Sequence, residues 1–97
     1  MSPEEKSRLY AIIEGQVQGV GFRSFVLDKA DELDLTGWVR NTRQGNVEVL
    51  AEGPRFALEE LLAALKKGPS TAYVTKVRHS WSEATGEYRF FGVDHTI

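Results

Sequence analysis

The sequence predicts an α+β fold in which two helices pack against one face of an antiparallel sheet. Segments with the periodicity of strands and helices follow one another in the order β-α-β-β-α-β, and each predicted helix carries a single apolar stripe. Two such helices bury their stripes by packing on the same side of one sheet. The chain has 97 residues, enough for one two-layer core, so we expect residues 1–97 to form a single domain with a flexible N-terminus at 1–7.

The first predicted strand and the first predicted helix are separated by a glycine-rich segment. Residues 9–14 form a short apolar run rich in strand-forming residues, which is typical of a central strand. Apolar residues recur at helical spacing in the helix that follows, at Phe22, Phe25, Val26, Ala30 and Leu33. Residues 15–21, between the two, predict a tight loop because they contain three glycines.

A predicted hairpin follows the first helix. Residues 38–42 and 47–52 alternate in polarity on either side of the turn-forming residues 43–46, which indicates two antiparallel strands. Arg40 and Arg43 are expected to be exposed charges, as most arginines on strands and turns are.

The second half of the chain predicts one more helix and one or two strands. The helix lies between Pro54 and Gly68, residues that suit its start and its end. Its apolar stripe consists of Leu58, Leu61, Leu62 and Leu65. Residues 72–82 predict a fourth strand and residues 88–93 a short fifth strand. The order of elements is that of the ferredoxin-like split βαβ arrangement.

Composition and charge exclude several classes of protein. The formal net charge of −2 argues against a general nucleic-acid binder, which is usually basic. The chain has no cysteine, which excludes disulfides and thiol chemistry. It contains no apolar run long enough for a membrane span, and its polar start lacks the apolar region of a signal peptide. We therefore expect a cytoplasmic protein without nucleic-acid or membrane partners.

The glycine-rich loop has the composition of an anion-binding site. Its glycines permit backbone conformations with positive φ, in which neighbouring N–H groups can converge on one point. The candidate phosphate-binding residues, acting through their backbone amides, are Gln18, Gly19, Val20, Gly21 and Phe22. Arg23 follows in the first turn of the predicted helix, where the helix dipole also favours an anion. Because its planar guanidinium donates to phosphate oxygens in pairs, Arg23 is the first candidate catalytic residue.

Asn41 is the second candidate catalytic residue. It shares one side of its predicted strand with Val39, because side chains alternate along a strand. In a right-handed βαβ unit the end of the first strand, the start of the helix and the neighbouring strand lie close together. The neutral amide of Asn41 donates and accepts hydrogen bonds without acting as a base, so it can hold and orient a water molecule beside the loop.

The residue types available limit the chemistry of this site. The loop motif contains no paired carboxylates, no histidine, no zinc-ligand cluster and no Lys-Ser or Lys-Thr pair of a nucleotide phosphate loop. Positioning and charge stabilisation suffice to hydrolyse a phosphate bond whose leaving group needs no proton. A carboxylate is such a leaving group, since its conjugate acid has a pKa of about 4–5. Acyl phosphates therefore suit this site, and we expect no metal and no cofactor.

Two segments of the chain resemble the two signatures of the acylphosphatase family. Residues 15–23 resemble the first signature, and residues 37–41, followed by Gly45, Val47 and Gly53, resemble the second. The resemblance covers nearly the whole chain. It implies a ferredoxin-like fold and the metal-free hydrolysis of acyl phosphates to a carboxylic acid and orthophosphate.

The resemblance also implies roles and partners. Arg23 and the loop amides bind the phosphoryl group, Asn41 positions the attacking water, and the substrate's own phosphate accepts the proton. The partner is a small acyl phosphate, inorganic phosphate is both product and competitive inhibitor, and the protein is expected to be a monomer. Gln16 stands where the family often has arginine, a departure that concerns the charge steering of the substrate more than catalysis.

Two other functions are compatible with the same topology. One is a non-catalytic anion-binding or regulatory module, against which the presence of both Arg23 and Asn41 argues. The other is an RNA-binding module that stacks bases on aromatic residues of the open sheet face. Residues 46–52 lack the signature of that module and carry Glu48 and Glu52 instead, so hydrolysis is the favoured function.

Overall fold

A sheet of five strands and two helices make up the fold of the described residues. The computed structural model describes residues 5–97. In chain order the elements are β1 (Lys6–Gln16), α1 (Phe22–Glu32), β2 (Thr36–Asn41), β3 (Val47–Pro54), α2 (Arg55–Lys67), β4 (Tyr73–Glu83) and β5 (Phe91–Val93). The strands lie in the order β4-β1-β3-β2-β5, which places the predicted hairpin strands β2 and β3 side by side.

The sheet is mixed because its fifth strand runs parallel to its neighbour. β1 pairs antiparallel with β3 and with β4, and β2 pairs antiparallel with β3. β5 lies at the edge of the sheet beside β2 and parallel to it. β4 ends at the end of the sheet where β2 begins. The segment after β4 therefore reaches β2 at its start, and β5 then runs in the same direction as β2. The prediction of an antiparallel sheet holds for β1 to β4 and is corrected for β5.

β1 is longer than the predicted strand over residues 9–14. Lys6 and Ser7 pair with the end of β3, because β3 itself extends to Pro54. The prediction of a flexible terminus over residues 1–7 is therefore corrected for these two residues. Residues 1–4 of that terminus lie outside the described residues.

One apolar core lies between the helices and the sheet. Alternate residues of β1 and β3 face the helices, namely Leu9, Ala11, Ile13, Val47, Val49 and Ala51. The buried stripes of the helices consist of Phe22, Val26 and Ala30 in α1 and of Leu58, Leu61, Leu62 and Leu65 in α2. The apolar faces that the sequence predicts from the strand period and the helix period thus pack against each other. Neither helix within residues 5–97 is long and apolar enough to cross a membrane.

The face of the sheet that carries no helix, the open face, contains paired charges. Arg8 donates to Glu52 at 2.7 Å and Arg40 donates to Glu48 at 2.7 Å. Both glutamates are buried, with exposed fractions of 3% for Glu52 and 8% for Glu48. The Arg40 guanidinium also lies 4.2 Å from the centre of the Trp38 ring. The prediction that Arg40 is an exposed charge is wrong, because the antiparallel register places Glu48 directly opposite it.

Residues 84–90 connect β4 to β5 and contact the open face. The backbone amides of Thr85 and Gly86 donate to the Glu52 carboxylate at 2.9 and 3.0 Å. Trp38 Nε1 donates to the Tyr88 hydroxyl at 3.3 Å. These bonds hold the connection against the sheet and so help to place β5 beside β2.

Candidate active site

β1 and β2 bring the predicted site residues to one end of the sheet, where both strands end. Both strands pair antiparallel with β3, which lies between them, so they run in the same direction and end at the same end of the sheet. The loop of residues 17–21 leaves β1 there and leads into α1, and Asn41 is the last residue of β2. The predicted loop and Asn41 therefore lie at the same end of the fold.

The loop turns through two glycines in the left-handed region. Gly19 has a φ of 72° and Gly21 a φ of 78°. Gly21 precedes α1 without any side-chain capping bond, and the first turn of α1 contains no acidic residue. Within residues 5–97, the backbone amides of residues 18–23 donate to no backbone or side-chain acceptor. These amides, at the positive end of α1, are available to bind an anion.

The Gln18 side chain connects the loop to the turn between β2 and β3. Its Nε2 donates to the carbonyl oxygens of Thr42 and Asn46, at 2.8 Å in both cases. Sequence reasoning gave Gln18 only a backbone role and missed this contact. The partners lie 24 and 28 residues further along the chain, so no local pattern identifies them.

A second side chain holds the loop from the other side. Thr71, in the connection between α2 and β4, donates its hydroxyl to the Val20 carbonyl oxygen at 2.6 Å. Across a trans peptide the C=O of one residue and the N–H of the next point in opposite directions. The bond therefore turns the Gly21 amide away from Thr71.

The Asn41 side chain lies on the buried side of β2. Gly37 and Val39 are buried on that side, whereas Trp38 and Arg40 face the open side. Asn41 Oδ1 is buried and has no hydrogen-bond partner within residues 5–97. Leaving a buried polar atom unpaired costs about 1–3 kcal/mol. Such an atom therefore indicates a position that a water molecule or a ligand fills.

Arg23, the other candidate catalytic residue, carries a fixed positive charge. It is the second residue of α1, half-buried beside the fully buried Phe22. Four other arginines, at positions 8, 40, 55 and 78, have a carboxylate partner. Among the residues that the structure describes, the Arg23 guanidinium has none. No carboxylate among residues 5–97 therefore neutralises its positive charge.

The last residues of the chain extend along the outer side of β2. Asp94 donates its amide to the Val39 carbonyl at 2.9 Å, and Ile97 donates its amide to the Asn41 carbonyl at 3.3 Å. The Arg43 amide in turn donates to the Ile97 carbonyl at 2.6 Å. These bonds fix the backbone around Asn41 on the side opposite β3.

Three cavities among the described residues are lined by other parts of the chain. Their volumes are about 210, 180 and 230 Å³, and they lie between α1 and β5, on the open face, and beside the start of β4. None of these three is lined by residues 18–23 or by Asn41. Over residues 5–97, no group of three or more histidine, cysteine, aspartate or glutamate side chains is placed to hold a metal ion.

Comparison with known proteins identifies the family. The family model described as Acylphosphatase matches residues 9–93. The chain belongs to the acylphosphatase family. It is 47% identical to the acylphosphatase of Salinibacter ruber, over 96% of this chain and 98% of that protein. It is 51% identical to the acylphosphatase of Thermus thermophilus, over 81% of this chain and 90% of that protein.

Solved acylphosphatase structures share the fold of this acylphosphatase. The Bacillus subtilis enzyme superimposes with a TM-score of 0.87 at 40% identity, over 91% of this chain and 98% of that one. Full-length HypF contains a similar region, with a TM-score of 0.87 at 27% identity, over 96% of this chain and 12% of HypF. The predicted ferredoxin-like fold and the predicted family are both confirmed.

Family membership establishes the general activity. As an acylphosphatase, the chain is an enzyme that hydrolyses acyl phosphates, as the leaving-group chemistry predicted. The matched residues include both signature segments, 15–23 and 37–41. Each segment contributes one of the two candidate catalytic residues, Arg23 and Asn41.

Proposed function

We propose that this acylphosphatase works without a metal ion, by holding the phosphoryl group of its substrate and aiming a water molecule at it. The amides of residues 18–22 and the Arg23 guanidinium hold the phosphoryl group, and the Asn41 side chain aims the water. The observation that carries this proposal is the buried Asn41 Oδ1. It has no partner within residues 5–97 and lies at the end of the sheet where the loop amides are also unpaired.

Binding of the phosphoryl group is a matter of charge and direction. In phosphoryl transfer the negative charge is spread over three equatorial oxygens, and stabilising them is most of the catalytic task. The loop amides offer donors that need no reorganisation during the reaction. Arg23 adds a full charge and a bidentate fork, for which no carboxylate among residues 5–97 competes.

The water molecule is held by Asn41. Its O–H donates to Asn41 Oδ1, which accepts the hydrogen bond but takes no proton. The water oxygen forms a bond to phosphorus while the bond from phosphorus to the acyl oxygen breaks, and the acyl group leaves as a carboxylate with that electron pair. The proton lost by the water goes to a phosphate oxygen, so the products are a carboxylate and orthophosphate.

The reaction requires neither a general acid nor a metal ion. The carboxylate leaves unprotonated because its conjugate acid has a pKa of about 4–5. Metal ions in phosphoryl transfer neutralise charge on the transferred group, and Arg23 with the loop amides supplies that neutralisation here. Both candidate catalytic residues come from one chain, so a monomer is sufficient.

Hydrolysis of an aromatic acyl phosphate by chelator-treated enzyme tests the metal-free mechanism. We expect full activity after the chelator and competitive inhibition by inorganic phosphate, because a site for the phosphoryl group also accepts the free ion. An absolute requirement for added metal would contradict the mechanism. Binding of inorganic phosphate without any hydrolysis would instead favour the non-catalytic anion-binding module.

Two substitutions separate the two roles. Arg23→Ala is expected to weaken binding of inorganic phosphate about 10- to 100-fold, because a charge-assisted hydrogen bond is lost. Asn41→Ala is expected to lower kcat about 10²–10³-fold while the inhibition constant for phosphate stays nearly unchanged. Gln44→Ala and Arg89→Ala, both at exposed positions, serve as controls with unchanged kinetics. Equal weakening of phosphate binding by Asn41→Ala and Arg23→Ala would show that the roles are assigned wrongly.

A further inference from the structure

We propose that the Gln18 side chain is a positioning residue that fixes Asn41 relative to the phosphate-binding loop. This inference rests on the proposed function, in which the loop amides hold the phosphoryl group and Asn41 aims the water. Its basis is the pair of hydrogen bonds from Gln18 Nε2 to the carbonyl oxygens of Thr42 and Asn46, both 2.8 Å long and partly buried.

The two acceptors belong to the turn that directly follows Asn41. Thr42 is its first residue and Asn46 its last residue before β3. The turn is closed on itself, since the Thr42 amide donates to the Asn46 carbonyl at 2.9 Å and the Asn46 amide donates to Thr42 Oγ1 at 3.1 Å. Gln18 therefore holds a compact unit whose position also sets the end of β2.

The sheet alone does not join the two halves of the site. β3 lies between β1 and β2, so no ladder of hydrogen bonds connects the loop after β1 with the end of β2. Gln18 spans this gap, because its backbone lies in the loop and its side chain reaches the turn after Asn41. One residue thus links the amides that hold the phosphoryl group to the strand end that carries the water-binding amide.

The chemistry of the contact requires a carboxamide. Two carbonyl oxygens need two N–H donors, and one NH₂ group supplies both. A methionine side chain has a similar length but no donor. The expected effect is on catalysis, because a displacement of about 1 Å in a reacting group can cost about 10²-fold in rate.

A double-mutant cycle of Gln18→Met and Asn41→Ala tests the inference. We expect Gln18→Met to lower kcat for an aromatic acyl phosphate about 10- to 100-fold in the wild-type background. In the Asn41→Ala background it is expected to change kcat by less than about 3-fold, since the group it positions is already absent. The inhibition constant of inorganic phosphate should stay within about 3-fold throughout, which a general loss of loop structure would not allow.

Gln16→Met is the matched control. Gln16 is an exposed glutamine two positions earlier, at the end of β1, and is expected to tolerate the same substitution without change in kcat. If Gln18→Met does not fold, as judged by urea unfolding, Gln18→Asn replaces it in the cycle. That variant keeps the donors on a side chain one methylene shorter.

The outcomes separate this inference from the function on which it rests. An equal loss of kcat from the Gln18 substitution in both backgrounds would overturn the positioning role while leaving the role of Asn41 intact. Full activity of Asn41→Ala by itself would locate the failure in the proposed function. Unchanged kcat of a folded Gln18→Met would overturn the inference outright.

Discussion

The two faces of the sheet solve the problem of burial in different ways. The face covered by α1 and α2 is largely apolar, and its apolar residues from β1 and β3 are fully buried. The open face alternates with it along the same strands and buries Glu48 and Glu52 beside Leu50, each glutamate paired with an arginine. An apolar residue gains from any apolar neighbour, whereas a buried carboxylate is stable only with a specific partner. The stability of the helix-covered face therefore depends on how well its side chains fill the core, and the stability of the buried glutamates on the open face depends on their arginine partners.

Truncation of a buried side chain on the helix-covered face is expected to have the largest effect on stability. Leu61 is fully buried in the stripe of α2. Leu61→Ala removes apolar contacts and leaves a cavity, so we expect the free energy of unfolding to fall by about 2–5 kcal/mol. Urea unfolding measures it, with the exposed Glu60→Ala on the same helix as the control. A loss no larger than that of the control would show that the core does not depend on packing at this position.

Loss of a partner on the open face is expected to have an intermediate effect. The Glu52 carboxylate accepts from Arg8 and from the amides of Thr85 and Gly86. Glu52→Gln removes its charge and one acceptor, and we expect a loss of about 1–3 kcal/mol in the free energy of unfolding at pH 7. Glu83→Gln, at an exposed position at the end of β4, is the control.

The pH dependence of this loss identifies its electrostatic origin. Burial opposes ionisation of Glu52, but the hydrogen bonds from Thr85, Arg8 and Gly86 outweigh it and lower its pKa below the ordinary value of 4.5. The ionised carboxylate therefore stabilises the fold above about pH 4.5, and this contribution is lost as the pH falls through the lowered pKa. We expect the difference between wild type and Glu52→Gln to shrink below pH 4.5. A difference independent of pH would contradict the pairing account.

A single hydroxyl on the open face is expected to have the smallest effect. Tyr10 donates its hydroxyl to the Glu48 carboxylate, and burial together with this bond raises the pKa of Tyr10 to about 12. We expect Tyr10→Phe to lower the free energy of unfolding by about 0.5–1.5 kcal/mol at neutral pH. Tyr73→Phe, at a side chain 68% exposed, should have almost no effect.

Titration at high pH tests the same hydroxyl. A raised pKa means that the contribution of Tyr10 is complete below its ordinary pKa of 10.0 and is lost as the pH rises through about 12. The stability advantage of wild type over Tyr10→Phe is therefore expected to disappear between these two values. An advantage that grows over this range would reverse the sign and contradict the bond to Glu48.

The helix-covered face was largely predictable and the open face was not. The stripe of four leucines in α2 is buried where the helical period placed it, because periodicity alone determines which side of a helix is apolar. Arg40 was predicted as an exposed charge, and only the register of β2 against β3 places Glu48 opposite it. The direction of β5 was equally beyond the sequence pattern, since it depends on where β4 ends.

The candidate site divides in the same way. The glycine-rich loop, Arg23 and Asn41 were predicted as site residues from residue types and spacing, and the left-handed conformations of Gly19 and Gly21 agree with the predicted loop. The Gln18 side-chain bonds were missed, because their partners lie 24 and 28 residues away. Nothing in a neighbouring stretch of sequence indicates such a pairing.

The sequence by itself determined the order of the elements, the apolar sides of the helices and strands, the positive-φ loop before α1 and the family. These properties depend on residues close together in the chain, where backbone preferences and periodicity act. Only the tertiary structure decided which distant groups meet, such as Gln18 with the turn after β2 and Arg40 with Glu48. It also decided that the buried Asn41 Oδ1 has no partner among residues 5–97. The physical reason is that hydrogen bonds and ion pairs need contact within a few ångströms, and folding alone sets such distances between remote residues.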